Sequence, residues 1–247
     1  MIDAEFYGEM PLEFERISDA LTEIGKTCRL PMKLSGHSGS GWSYFGTFER
    51  CPRAFYHRYV QERDLEGEPK ARAVGTLIHA FLALHYSRGA MSPQALYDAL
   101  LPRNVNPEIV QEAWRLFVSY EANYTSERIK PLAVEFHAKD KTTGYTCRYD
   151  LVAHVSEPGL VAGTYIIEHK SSSNLGVEVR TSWDLDGEVL GQMAVWNGAK
   201  LDRKFGSLKG VIINVLAKTK QPSFDRIIVS LDKQKATIHL NVIKSLK

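Results

Sequence analysis

The sequence predicts an α/β chain: a mixed central β-sheet flanked by helices, with an N-terminal helical region. Three observations predict it. Apolar residues recur at helical spacing through the first half of the chain, and the pattern changes to strand-like alternation near residue 132. One more helical stretch then separates three early strands from two late ones.

The elements follow in order. Residues 1–41 read as a lead-in that ends in a flexible joint, Ser35-Gly36-His37-Ser38-Gly39-Ser40-Gly41, and residues 42–247 as the main domain. Residues 43–60 read as a helix with Ser43 as its N-cap, carrying Phe45, Phe48, Phe55 and Tyr59, with Pro52 kinking or restarting it. Residues 74–87 form a second helix, because Val74, Leu77, Ile78, Phe81 and Leu82 make one apolar stripe. Two more helices are expected between Pro93 and Tyr124, with Pro107 in the first turn of the second. Strands are expected at 132–136, 145–155 and 164–170, a helix at 185–201, and strands at 210–216 and 224–230. Asp232 is placed to cap a short final helix.

The 247 residues suffice for one large domain, and the 44% apolar and 24% charged composition is that of a folded globular protein. The net charge of +2 excludes a uniform polycation, so any polyanion must be met by a local basic patch. Three scattered cysteines, Cys28, Cys51 and Cys147, give neither a CxxC zinc site nor a disulfide framework. The N-terminus is acidic and no apolar run is long enough to span a membrane, so a cytoplasmic protein with no membrane contact is expected.

The segment Tyr165-Ile166-Ile167-Glu168-His169-Lys170 holds the strongest chemical signal. Strand alternation sets Glu168 and Lys170 side by side on one face, with His169 on the other. Alone, such a pair is ordinarily a solvated ion pair at a strand end. Asp150 interrupts an otherwise good strand, where aspartate is unfavourable; alone it reads as an edge or bulge position. Together the two change the balance. An Asp on one strand and a Glu and Lys on the next can converge, the carboxylates binding a hard divalent cation and the lysine neutralising charge beside it.

At this point the chain resembles a known family. Asp150 with Glu168-His169-Lys170 is similar to the D…(D/E)xK core of the PD-(D/E)XK nucleases. Three further segments resemble the RecB-like branch: Phe45 to Tyr56 with its Cys51-Pro52-Arg53, Gly75-Thr76-Leu77-Ile78-His79, and Gln192-Met193-Ala194-Val195-Trp196, where Trp replaces the usual Tyr. The resemblance runs from about residue 43 to about 230, its motifs in the expected order. It implies a restriction-endonuclease-like core and hydrolysis of DNA phosphodiester bonds with Mg2+ or Mn2+. Asp150, Glu168, Lys170 and Gln192 become the catalytic residues. His79, Asp150, Glu168 and the backbone carbonyl of His169 become the metal ligands. Trp196 lost the phenol of the usual Tyr, so stacking or packing remains open to it.

Candidate DNA contacts are Arg53, Arg58, Trp196, Lys218 and Lys220, although ordinary surface charge is the commoner reading of each basic one. Arg72 and Lys70 flank the His79 helix and have the same two readings. Glu135, one strand before Asp150, is either a solvent-facing residue or a third acidic group near the metal. Iron–sulfur members of the branch need three C-terminal cysteines, and no cysteine follows Cys147, so no cluster is expected. No ATP-binding loop is present in the sequence. The resemblance thus points to stand-alone, phage-type exonucleases of DNA recombination or processing, with a recombination or helicase protein as partner. A non-catalytic DNA-binding or partner-binding module on the same fold is the alternative, and an RNA nuclease a third reading.

Overall fold

The computed structural model describes residues 14–28, 30, 40–63, 68–87, 89 and 91–245. The first helix, α1 (Ile17–Thr27), lies inside the stretch expected to be only a lead-in. Its Ile17, Ala20, Leu21 and Ile24 are buried in the main helical core, because they form one amphipathic stripe. Positions 35–39 of the expected joint lie outside the described residues. Ser40 is fixed, its carbonyl accepting the Thr146 amide at 3.0 Å.

The helix expected at 43–60 is three pieces. Helix α2 (Trp42–Arg50) follows Gly41 rather than a capping Ser43, α3 (Pro52–Phe55) restarts at Pro52, and residues 56–60 form a π-helical turn. Cys51 caps α3, its sulfur accepting the Ala54 amide at 3.4 Å. Helix α4 (Lys70–Tyr86) begins a turn before Val74. Helices α5 (Pro93–Leu100) and α6 (Pro107–Asn123) each start on proline, behind the capping side chains of Ser92 and Asn106.

Strands β1 (Ile129–Lys139), β2 (Thr146–Val155) and β3 (Gly163–Ser172) form an antiparallel meander. The crossover contains α7 (Val177–Thr181), a 3-10 turn at Trp183–Leu185, α8 (Gly187–Gly198) and α9 (Asp202–Phe205). It returns the chain as β4 (Leu208–Ala217), parallel to β3, and β5 (Ser223–Ser230) closes antiparallel. The sheet order is β1-β2-β3-β4-β5, the mixed sheet expected. Helix α10 (Lys233–Ser245) ends the fold; Asp232 caps it, accepting the Lys235 amide at 2.9 Å, and it is longer than the short helix expected.

The helices form two layers. On one face α1, α4, α5 and α6 pack on Leu151, Ala153, Tyr165 and Ile167. On the other, Val189, Met193 and Trp196 of α8 pack on Tyr149, Val152, Ile166 and Val211. Leu185, the expected first residue of the helix at 185–201, precedes α8 and is 74% exposed.

Candidate metal centre and active site

Two adjacent carboxylates sit where strand geometry breaks. A bulge separates Pro131 from Ala133 in β1. Further along, the pairs Val134↔Leu151 and Phe136↔Tyr149 set Glu135 opposite Asp150. Strand alternation fails on both strands at that rung: Val134 and Leu151 belong to the α4 side, Phe136 and Tyr149 to the α8 side. Glu135 takes a φ of 50°, a conformation unfavourable for a side chain of its size. Such local strain persists only where surrounding contacts impose it, and it clusters at functional sites.

Beside this rung β2 and β3 part. Their backbone pairing stops at Leu151↔Ile167, and Asp150 turns its carboxylate to accept the His169 amide at 2.9 Å. Helices α4 and α8 cover opposite faces of the sheet, and the parting lets both layers reach one place. His79 of α4 brings Nδ1 to 3.4 Å from Asp150 Oδ2. α4 passes close to the end of β3, since a Cβ on Gly75 would lie 3.3 Å from Ser171 Oγ. Donor atoms of His79, Glu135 and Asp150 all lie within 4.8 Å of one another.

Glu168 adjoins this cluster with both oxygens engaged. Oε1 accepts Lys170 Nζ at 2.7 Å, and Oε2 accepts Gln192 Nε2 at 2.7 Å. Lys170 also donates to Glu188 at 2.6 Å. Sequence reasoning missed Glu188; its only signal is the spacing of one helical turn before Gln192. The Gln192 Oε1 atom is buried without a hydrogen-bond partner. Glu135 meets the Arg148 guanidinium at 2.9 Å.

The charges are strained. Burial, then the charge of Asp150, raises the Glu135 carboxyl to about 7 and the Glu168 carboxyl to about 8. Burial opposes ionisation of Asp150 too, but His79 beside it reverses this and holds the carboxyl well below its ordinary value. Burial likewise opposes a charged His79, and Asp150 overrides it, raising the imidazole to about 9. Burial works against the Lys170 ammonium, yet Glu168 and Glu188 keep it protonated far above its usual range. The crowded, dehydrated Glu135 and Asp150 carboxyl groups and the His79 imidazole are a donor set suited to a hard or borderline divalent cation, and Glu168 stands outside that set with its oxygens held by Lys170 and Gln192.

The His169 side chain leaves the face of Glu168 and Lys170, as strand alternation requires, and turns to the α4 side, its ring 6.2 Å from that of His79. It stacks on Tyr86 at 5.9 Å, and Asn214 Nδ2 donates to its Nδ1 at 2.8 Å. Burial lowers the imidazole to about 3, so the ring is a neutral structural group.

The remaining expected contacts scatter. Trp196 is a correction: it is fully buried, donating to Asp202 at 2.6 Å, so it packs the core and cannot touch DNA. Lys218 lies where β4 ends beside β3, its amide on the Ser172 carbonyl at 2.7 Å and its Nζ 3.4 Å from the Ala71 carbonyl of α4. Lys220 is exposed, and its carbonyl accepts Arg115 at 2.7 Å. Arg53 is exposed on α3, and Arg58 lies 5.7 Å over the Tyr59 ring. Lys70 is tied to Glu108 and Glu112 at 3.3 Å each, whereas Arg72 is exposed. Cys28, Cys51 and Cys147 are free thiols.

The profile of the PD-(D/E)XK nuclease superfamily matches residues 43–225. This chain belongs to that superfamily. No curated protein matches it. Among solved structures, a provisional exonuclease from Eubacterium rectale is similar, with a TM-score of 0.48 and 13% identity over 99% of this chain and 83% of its own. The protein SSO0001 matches with a TM-score of 0.32 and 11% identity, over 83% of this chain and 89% of its own. No helix among the described residues is long and apolar enough to cross a membrane.

Proposed function

We propose that this protein is a divalent-metal-dependent DNA nuclease of the RecB-like branch, and an exonuclease, its nuclease domain spanning residues 42–247. The observation that carries the reading is the gathering of His79, Glu135 and Asp150 beside the Glu168–Lys170 pair where β2 and β3 part. Asp150, Glu168 and His79 hold the cation, with the His169 carbonyl as the backbone ligand and Glu135 as a further carboxylate. The cation, Mg2+ or Mn2+, supplies a water of lowered pKa and charge stabilisation on the phosphodiester.

The chain's own groups do the rest. Lys170 holds a fixed positive charge beside Glu168, where it neutralises the developing phosphorane charge and orients the attacking water. Gln192 donates to Glu168 and fixes that carboxylate. Burial excludes bulk water and strengthens each of these interactions. Lys218 and Lys220 at the end of β4, with Arg53 and Arg58, are the proposed phosphate contacts. DNA recombination or processing in the cytoplasm, beside a helicase or recombination protein, is the proposed setting.

The test is cleavage of end-labelled linear DNA and of closed circular DNA, with Mg2+ and with a chelator. Cation-dependent release of mononucleotides or short oligonucleotides from linear DNA, with circles spared, is the expected result. Nicked circles would replace the exonuclease by an endonuclease. No cleavage of DNA with any divalent cation would leave the non-catalytic DNA-binding or partner-binding module and the RNA nuclease as the readings.

A further inference from the structure

Lys170 is held by two carboxylates from two different elements. Glu168 shares its strand, and Glu188 stands in the first turn of α8. Glu188 and Gln192 are one helical turn apart, a rise of about 6 Å. Glu168 and Lys170 are two residues apart on β3, about 6.6 Å. The two spacings match, so one face of α8 addresses both reacting side chains: Gln192 donates to Glu168, and Glu188 accepts from Lys170.

The register of α8 against the strand is locked. Asp186 caps the helix, accepting the Glu188 and Val189 amides at 2.9 and 3.1 Å. Gly187 lies so close under the Trp42 ring that a Cβ there would come within 2.2 Å of it. A lysine bonded only to Glu168 would be tied to a carboxylate that is itself a cation ligand in the reading above. A second anchor on the helix fixes the ammonium independently of what Glu168 binds.

We infer that Glu188 is a positioning residue, which holds the Lys170 ammonium in its working place from the first turn of α8. The inference rests on the nuclease reading for its catalytic consequence, but the clamp itself is a property of the fold. Glu188 has a side chain 37% exposed, so its replacement opens no core cavity and the fold should survive.

The experiment combines a double-mutant cycle with chemical labelling. Glu188→Ala, Glu188→Gln, Lys170→Ala and the Glu188→Ala/Lys170→Ala pair are compared for kcat and KM on DNA, for Ca2+ affinity by calorimetry, and for Tm. Glu188→Ala should lower kcat ~10- to 100-fold, the scale set by misplacing a reacting group. KM, Ca2+ affinity and Tm should stay near the parent values. Glu188→Gln, which can still accept the Lys170 bond, should restore most of kcat. In the Lys170→Ala background, Glu188→Ala should add nothing, because both changes remove one unit.

The second readout needs no activity: acylation of Lys170 by a small amine-reactive ester, followed by peptide mass spectrometry. Removing the clamp should raise the Lys170 labelling rate several-fold in Glu188→Ala, and less in Glu188→Gln. An unchanged labelling rate overturns the clamp whether or not the protein cleaves DNA. An additive kcat loss in the cycle would overturn it too. A tenfold fall in Ca2+ affinity would make Glu188 a cation ligand instead. If the parent enzyme cleaves nothing while labelling rises as expected, the nuclease reading fails and the clamp stands.

Discussion

At Glu135 and Asp150 two carboxylates face each other from neighbouring strands, in a place where water cannot solvate both. Burial and the charge of Asp150 push the Glu135 carboxyl up to about 7 and the Glu168 carboxyl to about 8, and Asp150 raises the His79 imidazole to about 9. A cation needs the deprotonated forms of all its ligands, so binding must expel whatever protons they hold. As pH rises through those values the competing protons leave, and divalent affinity should increase. Calorimetry of Ca2+ binding at pH 7 in buffers of different ionisation enthalpy should therefore show net proton release. Identical heats in every buffer would mean that none of these groups ligates the ion. The residues of the site were unevenly legible. Asp150, Glu168 and Lys170 announce themselves because charged residues in an apolar strand are locally anomalous. Glu188 does not, since an acidic residue in the first turn of a helix is ordinary complement to the helix dipole. Trp196 misled in the other direction: it is four residues from Gln192, yet the layer that covers it is set by tertiary packing with Tyr149 and Phe205.

The elements were legible where periodicity is strong, and their ends were not. β2 and β3 read correctly because apolar residues and turn signals bound them. α4 starts earlier than expected because Pro69 sets its start and no apolar stripe extends that far, and α8 starts later because Asp186 caps it after Leu185, where the apolar spacing began. α1 carries a clear stripe at Ile17, Ala20, Leu21 and Ile24, which packs into the helical core. Its role can be measured. Leu21 is fully buried in the helical core, so Leu21→Ala should cost about 2–5 kcal/mol. Denaturant unfolding should show a lowered midpoint with a nearly unchanged slope. A midpoint within error of the parent would mean that residues 17–27 add nothing to the stability of the domain.

The whole molecule carries little net charge, so its hold on a polyanion must be local. The end of β4 is one candidate, where Lys218 lies beside the end of β3 and the start of α4. Lys218→Ala/Lys220→Ala should weaken DNA binding and flatten its dependence on salt, because fewer counterions are released. A slope equal to the parent's would place both lysines outside the footprint. The two-layer architecture gives the site its central property: α4 supplies His79, α8 supplies Gln192 and Glu188, and the parted strands supply the rest. The measurement that bears most directly on this account is cleavage of labelled DNA by Lys170→Ala, with cation affinity measured on the same preparation. Lys170 only donates hydrogen bonds, so it cannot ligate the cation. Losing one preorganised charge should cost ~10²–10³ in rate while divalent binding persists. Cleavage at the parent rate would contradict the account.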